Sequence, residues 1–297
     1  MHKGMRDSIR WGLVTALGLS LVTAPLVWAT HGRRFGTVAI PAEGYVLAGY
    51  LSEAEGPSAA WVVFVHGNRA EGQAHLLYQR IVSHLPSNAS VLAIDMRGFG
   101  NSSAEGLESA DRILDRTGDI EAAVEYLRAE YGVCEEEIVL MGHSLGALQV
   151  LRAGQSRPYR AVISIGPGDF RASLADSASR RAYAAKLSAA MGIRVPESSI
   201  AEEGQGFVPE ELFRPSPQSP TVLVFGAFEL PDSLRRAEVE IPEECSPMVR
   251  WETVPISDHM YGTEGEFLPP VVRLTTSWVP VGLLLWSIRQ HIPRDPA

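Results

Sequence analysis

Ile138-Val139-Leu140-Met141-Gly142-His143-Ser144-Leu145-Gly146 is an apolar run that breaks at Gly142 and resumes at Leu145 as the helical stretch Leu145 to Gln155. A strand over Ile138 to Met141, a sharp turn and a helix follow from that pattern. At so tight a turn a neighbour carrying a Cβ would strike the strand and helix beside it, which is the steric reason for glycine at 142 and 146. Ser144 then stands at the apex, where a G-x-S-x-G serine is exposed as a nucleophile. In a chain with 27 Gly the five residues alone are a weak signal, and the strand-turn-helix context is what strengthens them.

Working outward, short apolar strands alternate with helical stretches. Phe35 to Ile40 and Tyr45 to Leu51 read as an antiparallel entry hairpin. Ala60 to Val65 is apolar throughout, as expected of a strand covered on both faces, and Val91 to Asp95 follows after a helix around Gln73 to Leu85. Asp119 to Tyr131 carries Ile120, Val124, Leu127 and Tyr131 at helical spacing, with Asp119 in its first turn and Gly132 just past its end. Ala161 to Ile165, Thr221 to Phe225 and Val249 to Val254 are further strands, and a helix interrupted by Pro280 runs through Trp278 to Ile288. The expected fold class is α/β, with a mainly parallel central sheet and helices on both faces. Residues 167–220 lose the strand pattern. They read as an insertion after the sixth strand, either a lid or cap over the sheet's carboxyl edge or a plain surface excursion, with an Ala-rich helical part at 171–190.

A serine hydroxyl needs a base. Only His259 and His291 follow Ser144, and His259 directly follows the strand Val249 to Val254, so it is the better candidate. A carboxylate must orient that imidazole. Glu229, just off the end of the strand Thr221 to Phe225, ranks first, Asp232 second and Asp169 third; Asp258 ranks last because consecutive side chains diverge. The backbone N–H of Leu145 is one expected donor to a developing oxyanion, and the turn His66-Gly67-Asn68 supplies the other through Asn68 or Arg69. His66 and His143 are expected to tie the loop and to pack beside the elbow.

The whole chain has 297 residues, 45% hydrophobic, with 26 Lys+Arg against 35 Asp+Glu. That length can bury a large core, and the net charge of −9 repels phosphate backbones, so nucleic acid is not an expected partner. Two cysteines, Cys134 and Cys245, exclude a Cys-rich zinc site, and their pairing is disfavoured because the strands they precede lie apart. Lys3, Arg6 and Arg10 precede an uncharged stretch from Trp11 to Ala29. This is the layout of a signal peptide cut after Ala29 or of an N-terminal membrane anchor; as a helix it would span roughly 28 Å. Residues 1–29 are thus set apart from a domain at 30–297, which is expected to be exported or anchored outside the cytoplasm. Nothing in the sequence fixes the oligomeric state.

Together His66-Gly67-Asn68, the D-x-R-G-F-G-N-S run at 95 to 102, Gly142-His143-Ser144-Leu145-Gly146 and Asp258-His259 resemble the α/β-hydrolase fold superfamily over roughly residues 35 to 290. The order Ser, acid, His is also similar. The resemblance implies a serine hydrolase acting on a small-molecule or lipid acyl substrate, carboxylesters before lipid esters, thioesters or peptides, with no cofactor and no metal. Similar dehalogenases carry Asp in place of Ser144. It also implies a structural role for Asp95. Where many relatives carry Asp as the acid, this chain offers Glu229. The rival reading from another class is a binding protein that keeps the fold without catalysis.

Overall fold

The computed structural model describes residues 33–104, 107, 113–168, 170–212, 217–226, 248–254, 260, 288 and 291–292. Strands β1 (Gly36–Ala42) and β2 (Tyr45–Ser52) form the entry hairpin, followed by β3 (Ala60–Val65), helix α1 (Leu76–Ser83) and β4 (Ala89–Ile94). Then come α2 (Thr117–Tyr131), β5 (Ile138–His143), α3 (Leu145–Ala153) and β6 (Ala161–Ile165). Between β6 and β7 (Thr221–Gly226) the described residues form α4 (Phe170–Leu174), α5 (Ser177–Met191), α6 (Glu197–Glu203) and α7 (Pro209–Leu212), and β8 (Val249–Val254) follows. The eight strands lie in the order β1-β2-β4-β3-β5-β6-β7-β8. β1 and β2 pair antiparallel, β2 joins β4 antiparallel, and every other pairing is parallel. This is the mainly parallel sheet that the alternation predicts.

Period-two alternation splits the core into two layers. Trp61, Val63 and Val65 of β3 face the layer that holds Ile120, Val124 and Leu127 of α2 and Leu148 and Leu151 of α3. Ala60, Val62 and Phe64 face the other layer, with Leu77, Tyr78 and Ile81 of α1 and with Ile288 and Ile292. Each fully buried aliphatic side chain contributes about 1.5–3 kcal/mol. Tyr131 departs from the pattern. It is 36% exposed at the end of α2 and lies against Trp61, ring centroids 4.9 Å apart.

β4 ends at Ile94, one residue before the expected limit, because the Asp95 carboxylate serves the loops instead. It accepts from Gln73 N–H (2.7 Å), Asn101 N–H (2.9 Å) and the Tyr50 hydroxyl (3.0 Å), which is the structural role anticipated for it. α2 starts two residues earlier than its periodicity suggests, since Asp115 Oδ1 accepts the Thr117 N–H at 3.0 Å. Cys134 is an exposed free thiol, while Cys245 lies outside the described residues. No helix among the described residues is long and apolar enough to cross a membrane. The stretch at 11–29 and the helix expected through 278–288 lie outside them, apart from Ile288.

Segment 170–212 is bonded to the sheet domain through polar groups. The Glu203 carboxylate accepts three successive backbone N–H groups, from Ile113 (2.8 Å), Leu114 (2.7 Å) and Asp115 (3.1 Å). Arg152 of α3 pairs with Asp115 (3.1 Å) and donates to the Gly206 carbonyl (2.9 Å). Glu203→Ala is therefore expected to lower the unfolding free energy by about 1–3 kcal/mol in urea titrations, and Glu203→Gln by less, because three donors lose their acceptor. A loss within about 0.5 kcal/mol would show that water replaces the carboxylate without penalty.

Candidate active site

β5 ends at His143 and α3 begins at Leu145, which leaves Ser144 alone at the junction with φ 54° and ψ −115°. It is the one positive-φ residue other than glycine among the described residues. Such a backbone stores roughly 1–3 kcal/mol and persists only where its surroundings over-determine it. They do so here. Ser144 N–H donates to the Ile165 carbonyl across β6 (2.9 Å), and its own carbonyl accepts from Leu148 N–H (3.3 Å). A Cβ on Gly142 would strike the Gly146 carbonyl, and one on Gly146 would strike the carbonyls of Val65 and His66. Backbone thus packs on backbone, and the serine is left at the turn. Leu145 N–H is in the first turn of α3, so it has no acceptor within the helix and lies at the helix's positive end.

The loop after β3 lies directly alongside. A Cβ built on Gly67 would sit 2.9 Å from Ser144 Cβ. His66 is fully buried: its Nδ1–H donates to the Gly67 carbonyl (2.6 Å), and its Nε2 accepts from Met96 N–H (3.0 Å). Those two bonds set the tautomer, and burial holds the imidazole below its ordinary pKa, so it is neutral. His66 ties the loop, as expected. Arg69 N–H also donates to the Gly67 carbonyl (2.9 Å), which commits that group to the turn and leaves the Asn68 N–H as the loop's remaining donor. In a trans peptide the Asn68 N–H points opposite to the Gly67 carbonyl, away from those two donors. Asn68 Nδ2 and Oδ1 are both buried with no hydrogen-bond partner. An unpaired buried amide costs about 1–3 kcal/mol, and no sequence pattern marks it.

His143 is fully buried beside the turn, its Nδ1 3.2 Å from the Tyr78 hydroxyl. The sequence reading did not single out Tyr78. It lies on the helix expected around Gln73 to Leu85, where an aromatic is ordinary packing and nothing local points to its hydroxyl.

His259, Glu229 and Asp232 lie outside the described residues, as do Asp169 and Asp258. The strands that lead to the first two are described. β7 and β8 end level, Gly226 opposite Val254, on the same side of the sheet as the turn after β5. From β5 to β8 is three strand steps, roughly 14 Å, and the five residues from Val254 to His259 can reach roughly 17 Å. The topology permits convergence on Ser144. His291 is engaged elsewhere, its Nε2 2.6 Å from Glu252 Oε1 in the middle of β8.

The chain matches the Alpha/beta hydrolase family over residues 62–291. It is similar to the uncharacterized protein YfhR of Salmonella typhimurium, 40% identical over 97 residues that are 32% of this chain and 30% of that protein. The matched segment thus spans about a third of the curated relative. Among solved structures it is similar to the Pyrococcus furiosus esterase Pf2001 (TM-score 0.60, 18% identity, 88% of this chain and 92% of that one). It is also similar to a puromycin-hydrolyzing peptidase of Mycobacterium tuberculosis (TM-score 0.61, 16% identity, 89% of this chain and 40% of that one). At such identities the likeness is one of fold.

Relief of backbone strain gives one expectation: Ser144→Gly raises the unfolding free energy by about 1 kcal/mol, the strain released less the extra chain entropy of glycine. Urea titration measures it, and a destabilised variant would show that the turn is unstrained. His66 gives another. Below about pH 6.5 the unfolded chain takes up a proton that folded His66 refuses, so stability falls with pH until the lowered folded value is reached. His66→Asn, which keeps a donor for the Gly67 carbonyl and does not titrate, is expected to flatten that slope. An unchanged slope would assign it to other groups.

Proposed function

The chain belongs to the alpha/beta hydrolase family, and from that premise we propose that it is a serine hydrolase cleaving an ester or related acyl bond. The observation that carries the reading is the strained turn at Ser144, set between the helix N-terminus that presents Leu145 N–H and the loop that carries Asn68 N–H. Ser144 Oγ attacks the acyl carbon while its proton passes to His259. The carboxylate of Glu229, with Asp232 as the alternative, holds the resulting imidazolium. Leu145 and Asn68 N–H groups donate to the oxyanion. As the tetrahedral adduct collapses, the bond to the leaving oxygen breaks and His259 returns the proton to it. Water, deprotonated by the same histidine, then attacks the acyl carbon; the bond to Ser144 Oγ breaks, His259 returns the proton to that oxygen, and the acid is released. The scheme calls for no metal and no cofactor.

Small carboxylesters are the first substrate class, ahead of lipid esters, thioesters and peptides. Support for an ester comes from the esterase among the structural neighbours, while the peptidase among them keeps the leaving group open. With residues 11–29 as an export signal or anchor, the enzyme would act outside the cytoplasm. The alternative of a binding protein without catalysis is separated by labelling. A fluorophosphonate probe is expected to label the wild type and leave Ser144→Ala untouched, and p-nitrophenyl esters of short acyl chains to be hydrolysed fastest. Persistent labelling of Ser144→Ala would overturn the assignment of the nucleophile.

A further inference from the structure

Two segments must be held in register for that chemistry: the loop with the Asn68 N–H and the turn with Ser144 and the Leu145 N–H. They are remote in sequence, and one buried side chain touches both. Tyr78 of α1 is 1% exposed, its hydroxyl accepts from Gly67 N–H at 3.0 Å, and the same oxygen lies 3.2 Å from His143 Nδ1. Gly67 immediately precedes Asn68, and His143 immediately precedes Ser144. A Cβ built on Gly67 would fall 2.7 Å from the Tyr78 oxygen, 2.9 Å from Ser144 Cβ and 3.2 Å from His143 Nδ1, so all these groups meet around one α-carbon.

We infer that the Tyr78 hydroxyl is a positioning group, which sets the spacing between the Asn68 N–H and Ser144 by bonding the residue before each; this rests on the serine-hydrolase reading above. The two peptide planes that meet at Gly67 are pinned by different partners. The Gly67–Asn68 plane is held through its carbonyl, by His66 Nδ1–H and Arg69 N–H. The His66–Gly67 plane is held through its N–H, by Tyr78. A backbone N–H can only donate, so the phenol oxygen is the acceptor there, and it shares one further proton with the imidazole of His143. Without the hydroxyl, Gly67 N–H would be buried and unpaired, and its plane would be free to turn until it found a partner. The two planes share the Gly67 α-carbon, so a turn of the first shifts that atom and pulls the second, with Asn68 N–H, against its own two bonds; a displacement of about 1 Å at an oxyanion donor can cost on the order of a hundredfold in rate.

Tyr78→Phe keeps the packing ring and deletes only the oxygen. Its kcat on a p-nitrophenyl ester is expected to fall about 10- to 100-fold with KM within about twofold. Affinity for a boronic acid, which forms a tetrahedral adduct on Ser144, should weaken by the same factor. His143→Leu removes the imidazole that the oxygen bonds and should lower kcat by a smaller factor, with part of the loss recovered in His143→Asn, so the inference is tested even if Tyr78→Phe folds poorly. A loss of thermal stability with kcat and boronate affinity unchanged would overturn it and reduce Tyr78 to packing, with the hydrolase reading intact. A wild type that neither hydrolyses the esters nor is labelled at Ser144 would overturn the hydrolase reading and the positioning role with it.

Discussion

The backbone of α3 meets the ends of β3 and β5 with no side chain between them, and the rest of the carboxyl edge is arranged around that approach. Gly142 and Gly146 make it sterically possible, and the parallel registers that place Val65 beside Gly142 and His143 beside Ile165 keep it from sliding. Strain at Ser144 is a consequence. A few kcal/mol stored at one residue is tolerated because α3 buries Leu145, Ala147, Leu148, Val150 and Leu151 in the same step. Moving the serine into an ordinary conformation would withdraw those side chains from the core.

Around the turn, buried polar side chains act chiefly as partners for backbone groups. His66, Asp95, Gln149 and Asp119 are each fully buried, and each bonds main-chain atoms of a segment distant in sequence. Asp119 also accepts from the Tyr45 hydroxyl at 2.8 Å. Burial dominates its ionisation, pushing its carboxyl up while Arg116 pulls it back; burial in turn brings Arg116 down to about 10, which leaves the guanidinium charged at neutral pH. Such a pair adds little net stability compared with apolar packing, yet removing one partner strands the other. The pair therefore fixes geometry more than it adds energy. Against that background the amide of Asn68 differs in that neither its nitrogen nor its oxygen has a hydrogen-bond partner.

How much of this was legible in the sequence depended on whether a local rule governed the residue. The strand β3 and the first four residues of β5 were readable because burial on both faces writes a continuous apolar run, and the turn at Ser144 because two glycines bracket one serine. Asp119 shows the limit. Its place in the first turn of a helix suggests a dipole partner, but the structure buries it completely as the acceptor for Arg97 N–H and Tyr45. The loops carry no local signal for such bonds. Glu203 carries no local signal in the sequence, and only the fold brings the N–H groups of residues 113–115 to it. The turn that carries Asn68 was legible from its place after an apolar strand, while the orphaned side chain of Asn68 was not, since satisfaction of an amide is a tertiary property.

α3 is held on three sides by groups from well-separated parts of the chain. At its start Gly146 rests on the carbonyls of Val65 and His66. In its middle Gln149 accepts from Arg116 N–H (2.8 Å) and donates to the Leu114 carbonyl (2.8 Å). Near its end Arg152 bonds Asp115 and the Gly206 carbonyl, and its guanidinium lies 5.3 Å from the Phe207 ring centroid. Glu203 closes the circuit by bonding the same 113–115 segment from the helices that follow β6. The segment between β6 and β7 is thus bonded to the far end of the helix that begins beside Ser144, directly through Arg152 and indirectly through the 113–115 segment.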